Sequence, residues 1–417
     1  MTTLVAIVLA LLGTPLFIVI AAIALLSFHL EEIDLTVVFI EMYRIAETPT
    51  LSAIPLFAFT GFLLAESGAA NRLVRFSQTV LGWLPGGLAI MALLVCALFT
   101  AFTGASGMTI VALGGLLYPA LLKDRYSEDF SLGLLTTSGS LGLLFPPSLP
   151  LIVYGIVSRT PVDQLFLAGI IPGMLLVAAL ALYSGYQGRK SHDNRVHTSL
   201  GDILHVARES IWELLLPIVV IGGIFGGIIA VSEAAALSAL YVLIVEMAIH
   251  REIHFRQLPG IVRDSMVLVG GILIILAATM AYTNYLIDAE IPTRLLAVIQ
   301  DYVSSPLVFL IALNLFLLAV GCMIDMFSAL VVVVPLILPI AQAYGVHPVH
   351  LGIIFLTNLE IGYSTPPVGI NLFISSIRFE KPVLQLYRAS LPFLLILLLA
   401  LMVITYVPAL SLFLIQS

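Results

Sequence analysis

Tyr363-Ser364-Thr365-Pro366-Pro367-Val368-Gly369 interrupts one long apolar stretch of this sequence, and Leu144-Phe145-Pro146-Pro147-Ser148 interrupts another. Each proline lacks an N–H and clashes with the carbonyl four residues back. The carbonyls of Gly142 and Leu143, and of Gly362 and Tyr363, are therefore expected to lose their helical partners. In hydrocarbon each unmet carbonyl costs several kcal/mol, so these groups must be buried in protein, meet water or coordinate a cation. Ser148, Ser364 and Thr365 add hydroxyl oxygens, hard ligands of the kind that suits an alkali cation. A kink satisfied by neighbouring helices explains one double proline, whereas two at equivalent places point to a site.

The stretches around these breaks are membrane-like. Of the 417 residues 61% are hydrophobic and 10% charged, against the roughly 25% charged of a soluble domain. A span takes about 20 apolar residues, and such runs recur at about 3–28, 50–68, 126–158, 163–187, 209–230, 232–249, 265–287, 350–376 and 383–415. The first run has no Lys or Arg before it and is too long for a cleavable signal, so it reads as a retained span. Cys96 and Cys322 both lie in apolar runs, which excludes a disulfide framework. Two further apolar stretches, 83–122 and 305–343, read as re-entrant hairpins. Arg72 and Arg75 precede the first and Lys123 and Arg125 follow it, so the chain enters and leaves on one face. With the N-terminus inside, every basic residue except Arg44, Arg159 and Arg294 falls on the cytoplasmic side, as the positive-inside rule asks.

The two halves repeat. At an offset of about 220 residues Arg72-Leu73 matches Arg294-Leu295, Pro85 matches Pro306, and Pro119 matches Pro339. Leu132 to Leu135 matches Leu351 to Ile354, Pro146-Pro147 matches Pro366-Pro367, and Pro161 to Phe166 matches Pro382 to Tyr387. The copies enter the membrane from opposite sides, and inverted repeats with broken helices are the signature of secondary transporters, whose ligands bind where the repeats meet. The amphipathic stretches Asn71 to Trp83 and Thr293 to Ser304 are equivalent in the repeat and are expected to lie along opposite membrane faces as arms.

Candidate site residues gather around the breaks and the hairpin turns. The first tip is Thr103-Gly104-Ala105-Ser106-Gly107-Met108-Thr109, and by the repeat register the second is Gly321-Cys322-Met323-Ile324-Asp325-Met326-Phe327-Ser328. Small residues let backbones approach and turn sharply there. Asp325, and with weaker claims Glu233 and Glu360, are acids at membrane depth, where a carboxylate marks function by default. All eight histidines fall at span ends or in loops, so no buried histidine relay is expected, and His347 and His350 read as solvated. No Gly-x-x-x-x-Gly-Lys phosphate loop is present, which excludes ATP hydrolysis by this chain. An intramembrane aspartyl protease needs a second membrane-depth aspartate to pair with Asp325, and the sequence offers none.

These motifs resemble the large membrane subunit, DctM type, of tripartite ATP-independent periplasmic (TRAP) transporters, over essentially the whole chain. The resemblance is most specific at Phe102 to Gly107, Phe145 to Ser148, Ser232 to Ala236 and Asn358 to Phe373. It implies a bacterial inner-membrane, multi-pass carrier, not an enzyme, working by an elevator motion and driven by sodium. It also implies a separate small four-span membrane subunit, a soluble periplasmic binding protein and an organic acid substrate. Many family members carry Gly-Ile-Ser-Gly and then an acid at the first tip; Ala105 and Met108-Thr109 depart from that pattern, which leaves the substrate class open. No block of four further spans precedes Met1, so the small subunit is expected on another chain. A self-sufficient sodium/anion symporter of the wider ion-transporter group is the alternative.

The expected fold is an all-α membrane protein, an inverted-repeat elevator-type transporter with two re-entrant helical hairpins and two broken helices. Residues 1–70 form N-terminal scaffold spans, 71–187 the first repeat, 188–264 a cytoplasmic loop and central scaffold spans, and 265–417 the second, inverted repeat. One Na+ site is assigned to Gly104, Ala105, Ser106, Gly107, Phe145 and Pro146, and a second to Gly321, Asp325, Met326, Gly362, Thr365 and Pro366. Thr103, Ser148, Ser364 and Asn371 are assigned to the substrate. Besides these ligands the chain is expected to meet membrane lipid, and neither nucleic acid nor another metal.

Overall fold

The structure is a computed structural model that describes residues 9, 12–82, 84, 86–189, 200–303 and 305–416. Trp83, Pro85, Lys190, His192, Arg195, His197 and Ser304 lie outside the described residues, as do most of the first ten. The described chain is helical, and eight of its helices are long and apolar enough to cross a membrane, or nine spans if a pair bent by 46° at the first double proline counts as one.

The N-terminal part holds α1 (Leu16–Leu30), α2 (Thr36–Arg44), α3 (Ala53–Glu66) and the amphipathic α4 (Ala69–Leu81). Helix α2 occupies a segment between the first two expected spans for which the sequence pattern suggests no element. A hairpin follows, α5 (Gly87–Thr103) and α6 (Ser106–Lys123), then the broken pair α7 (Glu128–Ser138) and α8 (Leu149–Ser158), separated by a short 3-10 turn at Leu141–Leu144, then α9 (Val162–Gly188). The central elements are α10 (Leu200–Glu209), α11 (Ile211–Phe225) and α12 (Val231–Ile244), which runs into a π turn at Val245–Ile249. The order of the first half then recurs. It comprises α13 (Leu258–Asp288), the amphipathic α14 (Ile291–Tyr302), a hairpin of α15 (Pro306–Met323) and α16 (Met326–Ala343), the broken pair α17 (Pro348–Gly362) and α18 (Ile370–Phe379), and α19 (Val383–Tyr406). The C-terminal helix is α20 (Ala409–Gln416).

The residues explain these limits. Ser127 caps α7 by accepting the Phe130 N–H at 3.3 Å, and Asp325 caps α16 by accepting the Ser328 N–H at 3.0 Å; a side-chain oxygen there satisfies an N–H that has no helical acceptor. The last expected span, 383–415, is two helices, because Pro408 lacks the N–H that would carry α19 past Tyr406. Helix α13 starts at Leu258, before the expected 265; its Pro259 sits in the first turn, where a missing N–H breaks no bond.

Packing is reciprocal between the halves. The second leg of each hairpin lies on the far half of the other half's broken helix, α6 on α18 and α16 on α8. The near halves pack on the other half's last long helix, α7 on α19 and α17 on α9. The remaining surface is oily: Leu182, Val267, Leu315 and Leu399, all on helices long enough to cross a membrane, are at least 65% exposed. A water-soluble domain rarely presents so many large apolar side chains, whereas lipid accepts them.

Candidate functional site at the helix breaks

Both breaks are built by hairpin backbone pressing on helix backbone. A Cβ on Gly362 would stand 2.6 Å from the Gly321 carbonyl carbon, and a Cβ on Gly142 would strike the backbone of Ala97 and Ala101. At the first tip Gly104 takes the left-handed conformation, φ +63°, against the Leu149 side chain, which only glycine adopts without strain. Gly61 of α3 allows the same closeness to Thr103, whose Cα a Cβ would meet at 2.5 Å.

The carbonyls freed by the prolines are not all idle. Gly142 accepts from Phe145 N at 3.0 Å, Gly362 from Thr365 N at 2.9 Å and Tyr363 from Asn371 N at 3.0 Å. Their helical partners four residues on are lost, as expected, and other N–H groups take their place: the chain tightens into turns in which a residue three or eight positions on supplies the N–H. Each oxygen keeps a second lone pair for a ligand. Both Pro–Pro bonds are cis.

The first tip is joined to the second broken helix. Ser106, buried, donates to Asn371 Oδ1 at 2.7 Å, and Asn371 Nδ2 donates to the Thr136 carbonyl at 3.4 Å. Thus a residue assigned to sodium and one assigned to substrate share one bond. Ala105 and Gly107 lie half-buried beside them, with Gly107 against Ile374. Phe145 packs its ring on Gly173, and Pro146 is buried. At the second tip the buried Met326 donates its N–H to the Tyr363 hydroxyl, and Cys322 O accepts from Gly369 N at 3.0 Å. Thr365 Oγ1 donates back to Ile361 O at 2.8 Å, while Pro366 is exposed. The two breaks touch where Ser140 Oγ donates to Glu360 O at 3.3 Å.

Three of the four residues assigned to the substrate from the sequence share a property that burial makes costly. Thr103, Ser148 and Ser364 are 0 to 2% exposed, and among the described residues their hydroxyls have no hydrogen-bond partner. A buried hydroxyl left unmet costs about 1–3 kcal/mol; Ser27, Ser184, Thr279 and Ser390 share the property elsewhere in the fold, so what sets these three apart is their place at the breaks and the first tip. Glu360 is likewise buried with both carboxyl oxygens unpartnered.

The fold gives two of the acids and one histidine surroundings that hydropathy does not show. Asp325 is exposed and engaged as a cap. Glu233 is exposed and accepts from Ala230 N at 2.8 Å at the start of α12. His350 is not solvated: it is 2% exposed, with Nδ1 3.1 Å from Ser411 Oγ and Nε2 3.2 Å from Thr405 O. Helix α20 folds over it, a tertiary event invisible at the level of hydropathy.

The sequence reading also passed over hydroxyls that the fold gathers. Thr100 Oγ1 donates to Gly139 O at 2.8 Å and lies 2.7 Å from Thr109 Oγ1, and Thr136 Oγ1 donates to Ser375 at 2.9 Å. Asn358 donates to Asn314 at 2.7 Å, which donates to Thr405 at 3.1 Å. The run Thr136-Thr137-Ser138-Gly139-Ser140 before the first double proline was the available signal.

The family model described as "Tripartite ATP-independent periplasmic transporter, DctM component" matches residues 3–410. This chain belongs to the DctM family. It is 36% identical over 374 residues to the C4-dicarboxylate TRAP transporter large permease protein DctM of Pseudomonas aeruginosa, covering 89% of this chain and 88% of that one. It is 31% identical over 415 residues to the ectoine/5-hydroxyectoine TRAP transporter large permease protein UehC of Ruegeria pomeroyi, covering 98% and 96%. Among solved structures, the YdaH transporter of Alcanivorax borkumensis superposes with a TM-score of 0.57 over 87% of this chain and 88% of that one, at 15% identity, a likeness of fold alone. As a DctM protein the chain is a multi-pass inner-membrane permease component and not an enzyme. The breaks just described lie within the residues that the DctM model covers.

Proposed function

We propose that this chain is the sodium-coupled large permease of a TRAP transporter for a small organic acid, with the two helix breaks and hairpin tips as its ion and substrate sites. The observation that carries this reading is the set of buried, unpartnered hydroxyls of Thr103, Ser148 and Ser364 beside tips made of small residues. Oxygen donors on close-packed backbone are the chemistry for a hard monovalent cation. Polar groups without partners are those a bound substrate completes.

In this reading Gly104, Ala105, Ser106, Gly107, Phe145 and Pro146 hold one sodium ion. Gly321, Asp325, Met326, Gly362, Thr365 and Pro366 hold the other, and Asn371 joins the substrate set to the first tip. The reciprocal packing of the halves and the similar close approaches at Gly142 and Gly362 support two inverted repeats. An elevator motion would carry the hairpins and breaks past the scaffold of α3, α11, α12 and α13. The substrate class follows relatives named for C4-dicarboxylates and for ectoine, and a small membrane subunit and a periplasmic binding protein complete the assembly.

The test is uptake by proteoliposomes holding this chain and its small subunit, with candidate binding proteins and cation gradients varied. Uptake is expected to require inward sodium and a binding protein and to persist without ATP. Ser106→Ala and Thr365→Ala are each expected to weaken sodium activation. Equal uptake on a proton gradient in sodium-free buffer removes the coupling, and full uptake without a binding protein favours a self-sufficient symporter.

A further inference from the structure

The two amphipathic helices are equivalent in sequence but are held differently. Arg72 of α4 reaches three carboxylates at once: Nε to Glu213 at 2.6 Å, Nη2 to Glu246 at 2.8 Å and Nη1 to Glu252 at 2.7 Å. These belong to α11, to the π turn after α12 and to the loop before α13. The Arg72 side chain is 11% exposed, and those of Glu213 and Glu246 are 3% and 0%. Around this hub Glu252 also accepts from Gly68 N at 2.7 Å, Ser210 donates to Arg72 O at 3.1 Å, and His250 Nε2 lies 3.6 Å from Glu213. A guanidinium presents its donors in a planar fork that serves several carboxylates together, which an ammonium does not.

The repeat partner of Arg72 is Arg294 in α14, which is exposed and has no ion pair among the described residues. Helix α14 is tied elsewhere. Val303, just past its end, accepts from the Tyr344 hydroxyl at 2.6 Å. Tyr344 follows α16, and its ring stacks on Phe309 of α15 at 4.4 Å. The connection of α14 back to α13 turns at Glu290, a left-handed residue with φ +54°.

We infer that α4 is a fixed strut whose positioning residue is Arg72, and that α14 is a mobile arm that travels with the second hairpin. Breaking a buried charge cluster by removing one member leaves uncompensated charge and is strongly unfavourable, so α4 stays with α11 and α12 through a cycle. Motion of the first hairpin then occurs across the face between α4 and α5, where Leu73 and Val74 are buried. In the second half α14 swings about Glu290. The halves are thus related in fold and unlike in movement, a statement that holds for any ligand the carrier takes.

The experiment measures spin-label distances in the full chain in liposomes, with and without sodium. One label pair is Arg75→Cys with Leu240→Cys, and the other is Val298→Cys with the same Leu240→Cys; all three positions are exposed, and Cys96 and Cys322 are buried. The α4 pair is expected to give one narrow distance in every condition, and the α14 pair a shifted or double distribution. In Arg72→Ala the α4 distribution is expected to broaden to match that of α14, with the α14 pair unchanged as the control for folding. An α4 pair that shifts as far as the α14 pair, or an α4 pair that stays narrow in Arg72→Ala, overturns the proposal. The inference rests on the elevator reading above but not on the coupling ion: a double α14 distribution already present without sodium supports the mobile arm, and the same single narrow α14 distance in both conditions overturns it, whereas sodium coupling is judged by uptake alone.

Discussion

Single residues decide whether the breaks can form. Gly362 lies where an added methyl group would meet Gly321 backbone at 2.6 Å, and backbone cannot rotate aside as a side chain can. Gly362→Ala is therefore expected to destabilise the protein by about 1–3 kcal/mol, the usual range for overpacking. Gly222→Ala, whose methyl group meets nothing within 4 Å, is expected to be neutral or slightly stabilising. Thermal unfolding of the two purified variants checks this, and equal melting temperatures would show that the close approach at the second break is not needed. The signal for the position was in the sequence, as a glycine four residues before a double proline. Its partner Gly321, 41 positions away, could be guessed only through the repeat.

At the scale of elements, each hairpin leg of 17 or 18 residues is about 26–27 Å long, close to the thickness of the hydrocarbon layer, so length alone does not separate a re-entrant leg from a short span. Helix ends are more telling. Asp325 has two roles open to it, cap and cation ligand, and substitution separates them. Asp325→Asn keeps a good cap, so its stability is expected to match that of the wild type, while a coordinating role predicts weaker sodium activation. Asp325→Ala is expected to lose about 1 kcal/mol as well. A variant Asp325→Asn with unchanged sodium activation and unchanged melting temperature assigns Asp325 to capping only. Hydropathy could not have shown the cap as such, because it depends on where the tip turns.

For the whole molecule the membrane potential sets the terms of uptake. A cell interior negative by 100 mV opposes entry of each anionic charge by about 2.3 kcal/mol, so uptake of an organic acid needs accompanying cations. With two sodium sites, a monoanion brings in one net positive charge and a dianion none. Uptake of a monoanion is therefore expected to speed up when the interior is made more negative with potassium and valinomycin, and uptake of a dianion to be indifferent. Dianion uptake that slows at negative potential would indicate fewer than two cations per cycle.

What the sequence determined by itself follows from local rules. Runs of about 20 apolar residues require helices, because in lipid only a helix satisfies its own backbone. The double prolines at an offset of 220 mark both helix breaks. What tertiary structure decided is who faces whom. Ser106 meets Asn371 265 positions away, His350 is enclosed by a helix beyond Pro408, and Arg72 reads as the polar edge of an amphipathic helix yet sits in the middle of three carboxylates. Periodicity ranks a residue by its own helix alone. The burial, pairing and anchoring of a polar group depend on neighbours that chain closure brings from far away, and it was these that made the two arms different.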